Sequence, residues 1–166
     1  MKNNYALITG ASSGLGTEFA FRLAQKGYDL FLTARRMDRL QELANRIEKQ
    51  FNCKVIAFKA DLCNSEGVTS ILDEIKKQNI EIDFLVNNAG YGIQAAFADK
   101  PAKDWSEMIQ VNVCNLVALT RGILPQMMAR KSGKILNVSS VAAFQAVPWF
   151  TIYAATKAFV LIFSEG

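Results

Sequence analysis

Tyr153 and Lys157 stand four residues apart at the start of an apolar, helix-like segment, and a serine pair, Ser139-Ser140, precedes them. Residues at i and i+4 share one face of a helix, so the ammonium can sit beside the phenol. A free tyrosine is a poor acid or base at neutral pH; a neighbouring cation favours the phenolate and brings proton transfer within reach. The chain contains no histidine, which removes His-based triads and His-ligated metals and leaves acid–base work to Tyr, Lys, Cys, Asp or Glu. Taken alone, a Tyr–Lys pair is more often an interfacial tyrosine beside a solvated lysine, and a Ser-Ser step more often a strand-end turn.

A second constellation lies at the N-terminus. Gly10-Ala11-Ser12-Ser13-Gly14-Leu15-Gly16 follows the apolar run Tyr5–Thr9 and opens a helical pattern. Glycines permit a tight turn and a close approach of backbone to a pyrophosphate, while the helix N-terminus offers unpaired N–H groups and the positive end of its dipole. The spacing is G-x-x-x-G-x-G, and such a turn alone is weak evidence. Its position between a first strand and a first helix makes phosphate binding the stronger reading.

These groups need elements to hold them. Buried strands are expected at Tyr5–Thr9, Tyr28–Thr33, Val55–Ala60, around Phe84-Leu85-Val86 and at Ile135–Val138. Between them, helical periodicity runs from Gly14 towards Gly27, through Met37, Leu40, Leu43 and Ile47, and through Val68, Ile71, Leu72 and Ile75. A long helix, roughly Lys103 to Ala129, is apolar nearly all round and should be covered on two sides, one by the sheet and the other by a partner subunit. A last helix spans Tyr153 to Ser164. Strand–helix alternation with short connections implies right-handed crossovers and a parallel α/β sheet covered on both faces, of the Rossmann doubly wound type, in a single domain over residues 1–166. The end, Phe163-Ser164-Glu165-Gly166, does not read as a natural cap.

Composition narrows the partners. The chain has 166 residues, 51% of them hydrophobic, with no stretch of membrane-span length and no signal-peptide zones at its start, so a cytoplasmic protein with no membrane partner is expected. Its net charge of +4 is mild and dispersed, unlike the basic stripe of a nucleic-acid binder. Cys53, Cys63 and Cys114 are odd in number and form no C-x-x-C, so free thiols are expected and neither a disulfide framework nor a metal site.

Thr9 to Gly16 resembles the T-G-x-x-x-G-x-G motif of the short-chain dehydrogenases/reductases, and four further motifs follow in register: Asp61-Leu62, Asn87-Asn88-Ala89-Gly90, Asn112, and Ser140 with Tyr153 and Lys157. The resemblance runs from about Asn4 to Glu165. It implies a Rossmann-type sheet of about five strands, the N-terminal two-thirds of the family's domain. The roughly eighty to a hundred further residues usual in the family, which supply its last strands and most of the substrate lid, are then absent. It implies a nicotinamide cofactor held by Gly10, Ser12, Ser13, Gly14, Leu15, Gly16, Asp61, Leu62, Asn88, Ala89 and Gly90, with Tyr153 and Lys157 at the nicotinamide end. Tyr153 would exchange a proton with a carbonyl or alcohol oxygen as hydride moves; Lys157 would also bond the ribose, Ser140 the substrate oxygen, and Asn112 a water leading from Lys157. NAD-preferring members usually carry an acid near position 34; here Ala34 is followed by Arg35, whose guanidinium suits a 2′-phosphate. NADP(H) is therefore expected over NAD(H), although Arg35 and Arg36 also fit as solvated charges opening the next helix.

The expected substrate is a small carbonyl or alcohol. Phe144, Trp149, Phe150, Tyr91, Ile93 and Phe97 would give it an apolar surround, or else pack against neighbouring structure. The resemblance also implies a homodimer or tetramer, with Met108, Leu116, Leu119 and Phe159 at the contact. A catalytically inactive nucleotide-binding or assembly domain that keeps the motifs by descent stays open as the alternative.

Overall fold

The five strands carry mostly apolar residues, and successive side chains serve opposite faces of one sheet. In β1 (Tyr5–Thr9), Leu7 packs into a core with Phe31, Ile71, Leu85 and Leu119, while Ala6 and Ile8 join Leu23, Leu30, Leu32 and Leu40 on the other side. Such a strand has no wet face. β2 (Asp29–Ala34), β3 (Val55–Lys59), β4 (Ile82–Asn87) and β5 (Lys134–Asn137) complete an all-parallel sheet in the order β3-β2-β1-β4-β5. The computed structural model describes residues 4–166, so the expectation for the extreme N-terminus, at Met1 to Asn3, lies outside the described residues.

Helices cover both faces. α1 (Gly14–Gln25) and α2 (Met37–Gln50) lie on one side. α3 (Glu66–Lys77) and α5 (Asn115–Arg130) lie on the other. The order places β2 and β3 on one side of β1, and β4 and β5 on the other. The crossovers diverge between β1 and β4, which opens a crevice at the carboxyl ends of those strands.

The long helical stretch is two α-helices, α4 (Ala102–Ile109) and α5, joined without a break by a π-turn at Gln110–Cys114. The second apolar side of its first half, α4 and the π-turn, is covered within the chain by α6 (Thr151–Glu165). This corrects the expected contact surface. Met108, Leu116 and Leu119 are 0%, 6% and 1% exposed in the single chain, and are not free for a partner. Phe159, by contrast, is exposed, as are Leu124, Met128 and Ile162. No helix among the described residues is long and apolar enough to cross a membrane.

Candidate active site

The glycine-rich turn is held by its neighbours across the crevice. Gly10 has φ +66°, and a Cβ there would lie 2.9 Å from the Ala89 Cα; a Cβ on Gly16 would lie 2.4 Å from the Gly10 carbonyl oxygen. No side chain fits at either place, so the loop closes tightly over the end of β1. Thr9 Oγ1 accepts from the backbone N–H groups of Asn88 (3.0 Å) and Ala89 (2.9 Å), and Asn88 Nδ2 donates to the carbonyl of Thr9 at 2.9 Å. Asn87 Nδ2 donates to Thr120 Oγ1 (2.9 Å) and Asn137 Oδ1 (2.8 Å), tying β4 to α5 and β5. The two asparagines are thus committed to bracing, and the strip Asn88-Ala89-Gly90 is left facing the crevice.

That crevice is a cavity of about 410 Å³, a normal size for a small-molecule site. One end holds Arg35 and Arg36 with Ser12 and Ser13; the middle holds Gly10, Leu15, Asp61 and Leu62; the far end holds Gly90, Tyr153 and Lys157. Gly14, exposed at φ +58°, and buried Gly16 shape the turn without lining the cavity. Asn112 and Ser140 sit outside the cavity lining, next to residues that form it.

The basic end carries a residue that sequence reasoning left as a solvated charge. Arg36 Nη2 donates to Ser12 Oγ (3.2 Å) and Ser13 Oγ (3.1 Å), so its guanidinium lies across the mouth of the phosphate loop. Position 13 has no basic side chain of its own, and a cation reaches it through space from α2. The doubled arginine was the available signal. Nearby, the Thr33 hydroxyl is buried at the cavity wall without a partner. A buried polar group is normally satisfied, so an orphan at a cavity wall marks where a ligand or water belongs. A cationic end, bare backbone in the middle and a second cation at the far end together fit an anionic dinucleotide.

At the far end Lys157 is 5% exposed, and its Nζ donates to the Val138 carbonyl at 2.7 Å. The same ammonium lies 5.8 Å from the centroid of the Tyr153 ring, within cation–π range. Desolvation holds it below the ordinary lysine pKa. Tyr153 is half-buried; its ring packs edge-on to Phe150, and its hydroxyl makes no hydrogen bond among the described residues. α6 begins at Thr151, two residues before Tyr153, so the Tyr–Lys pair stands in its first turns.

The two serines separate by role. Ser139 donates its hydroxyl to the Lys157 carbonyl at 2.8 Å and so fixes α6. Ser140 Oγ accepts from the Ala142 N–H at 3.2 Å, capping a 3-10 turn at Val141–Phe144, and keeps its own proton to donate. Asn112, on the π-turn, is 1% exposed. Its Nδ2 donates to the Tyr91 carbonyl (2.9 Å) and Thr156 Oγ1 (3.0 Å), and its Oδ1 accepts from the Tyr91 N–H (3.1 Å). It joins the loop after Gly90 to α6 beside Lys157.

A family model described as short chain dehydrogenase matches residues 4–166. A very-long-chain 3-oxoacyl-CoA reductase of Rattus norvegicus is 36% identical over 167 residues, covering 97% of this chain and 52% of that protein. Among solved structures, a short-chain dehydrogenase from Sphingobium yanoikuyae in complex with NADPH superposes with a TM-score of 0.92 at 36% identity, over 98% of this chain and 64% of that one. The L-sorbose reductase from Gluconobacter frateurii, complexed with NADPH and L-sorbose, gives a TM-score of 0.92 at 33% identity, over 99% of this chain and 63% of that one. The chain thus spans about half the length of the first of these proteins and under two thirds of the other two.

Proposed function

The chain belongs to the short-chain dehydrogenase family, and from that premise we propose that it serves an NADP(H)-dependent interconversion of a carbonyl and an alcohol. The observation that carries this reading is one cavity with two arginines and two serine hydroxyls at one end and the Tyr153–Lys157 pair at the other. The relatives solved with NADPH point the same way.

When bound, the nicotinamide supplies or receives the hydride. The chain's residues do the rest. Arg35 and Arg36 neutralise the 2′-phosphate, and a guanidinium gives it charge-assisted, directional bonds. The α1 N-terminus and the loop's backbone N–H groups face the pyrophosphate. Lys157, anchored on the Val138 carbonyl, has two further hydrogens to give to the nicotinamide ribose and towards Tyr153. Tyr153 would pass a proton to or from the substrate oxygen while Ser140 holds that oxygen. Asn112 keeps the Tyr91 loop and α6 in register with this pair.

Apolar residues flank the reacting end. Phe144 and Trp149 are exposed between Ser140 and Tyr153, and Trp149 has φ +67°, a strained value for a bulky side chain. They favour a substrate with an apolar flank. In solution the exposed Met128, Phe159 and Ile162 favour self-association through α5 and α6.

The test is oxidation of NADPH against a panel of ketones and 3-oxoacyl thioesters. Tyr153→Phe is expected to remove nearly all turnover and leave NADPH binding intact. Substantial turnover in that variant means the proton donor is misassigned.

A further inference from the structure

Asn115 carries none of the motif, yet it is 2% exposed and uses its whole amide. Its Nδ2 donates to the carbonyls of Leu62 (2.5 Å) and Asn64 (3.0 Å), and its Oδ1 accepts from Gln110 Nε2 at 2.8 Å. Leu62 and Asn64 belong to the loop after β3, whose residues Asp61, Leu62 and Cys63 line the cavity. That loop has little regular structure of its own: Asp61 Oδ1 accepts from the Cys63 N–H, and Asn64 Oδ1 from the Gly67 N–H. Two of its carbonyls face the helix, and Asn115 is what meets them.

The π-turn makes this possible. Gln110 and Asn115 are five residues apart. In an α-helix such a pair is separated by roughly 140° around the axis and cannot meet. The π-turn at Gln110–Cys114 takes up an extra residue, which brings Gln110 back over Asn115. With Oδ1 latched by Gln110, both Nδ2 hydrogens must face the loop. Asn112, on the same turn, holds the Tyr91 loop, which also borders the cavity.

We propose that Asn115 is a positioning residue for the adenosine half of the cofactor: it sets the Asp61–Asn64 loop at the height at which Asp61 and Leu62 meet the adenine. The inference rests on the cofactor reading above. Through the π-turn, one helical turn then registers the adenosine-binding loop and the nicotinamide-side loop against each other.

Calorimetric titration with NADPH and with 2′,5′-ADP, which carries the adenosine and its 2′-phosphate but no nicotinamide, tests it. Asn115→Ala is expected to weaken both ligands by the same factor, roughly tenfold for two lost buried hydrogen bonds, with stoichiometry kept. Asn115→Ser, retaining one donor, recovers part of the loss. Gln110→Ala keeps the amide but unlatches it, and its affinity falls between wild type and Asn115→Ala. A merely structural role lowers the competent fraction and leaves affinity alone. Unchanged affinity of Asn115→Ala for 2′,5′-ADP, or a loss confined to stoichiometry, overturns the inference. If Asn115→Ala does not fold, unchanged affinity in Gln110→Ala overturns it. A wild-type chain that binds neither ligand overturns the cofactor reading, and this inference with it.

Discussion

Lys157 is an ammonium held in a place that is poor for a charge. It is 5% exposed, and one backbone carbonyl compensates it. Burial depresses its pKa below the ordinary lysine range. Between the depressed value and the ordinary one, the unfolded chain carries a proton that the folded chain has released. The contribution of this group to stability therefore rises with pH across that alkaline window. Lys157→Met removes the buried charge and keeps most of the volume. It is expected to melt at or above the wild-type temperature at neutral pH while losing cofactor affinity, the pattern of a site kept for function at the expense of stability. Melting curves for both proteins at neutral and alkaline pH check this. The wild type should gain on the variant as pH rises, and a wild type that instead loses ground to the variant as pH rises contradicts the assignment. The Tyr–Lys spacing was legible because i,i+4 on a helix is a rule of geometry. The partners that define their chemistry, the Val138 carbonyl for Lys157 and the Lys157 carbonyl for Ser139, were not, because they lie across the fold. The same is true of Arg36, whose neighbours Ser12 and Ser13 are 24 and 23 residues away.

At the scale of elements, all five strands and the helices between them could be read from apolar runs and 3.6-residue periodicity, with ends displaced by a residue or two. Other features escaped. The π-turn leaves no pattern, since inserting one residue into an already apolar helix changes little in its periodicity. The 3-10 turn at Val141–Phe144 depends on a single cap from Ser140. The cover over Met108 was assigned to a partner because sequence cannot show that α6 folds back onto α4 and the π-turn. The join between β1 and β4 is more concrete. Thr9 Oγ1 serves two backbone N–H groups at once and donates to the Val86 carbonyl at 3.4 Å. Thr9→Val keeps the shape and removes the acceptor, leaving the Ala89 N–H short of its partner while the Asn88 N–H keeps the Val86 carbonyl. A loss of about 1–3 kcal/mol in a urea unfolding titration is expected, with weaker NADPH binding because Ala89 and Gly90 lose their fixed height. Wild-type stability in Thr9→Val would show that water or a relaxed loop replaces the bonds.

The whole molecule is a sheet whose switch point between β1 and β4 gathers groups from distant parts of the chain into one crevice. The order β3-β2-β1-β4-β5 is what brings Arg36, Asp61, Gly90 and Lys157 to the same side. The similarity to a 3-oxoacyl-CoA reductase and to dehydrogenases solved with NADPH does not favour an inert domain that keeps the motifs by descent. Self-association, if it occurs, would use the exposed Met128, Phe159 and Ile162. Light scattering after size exclusion should give a dimer or tetramer that Phe159→Lys with Ile162→Lys reduces to a monomer. A wild-type monomer at micromolar concentration rejects it. A preference of this crevice for NADP(H) is tested by a fluorescence titration of the wild-type chain with NADPH and with NADH. NADPH is expected to bind at least tenfold more tightly, about 1.4 kcal/mol, with most of that preference lost in Arg35→Ala and in Arg36→Ala. Equal affinities of the wild-type chain for the two nucleotides would contradict it.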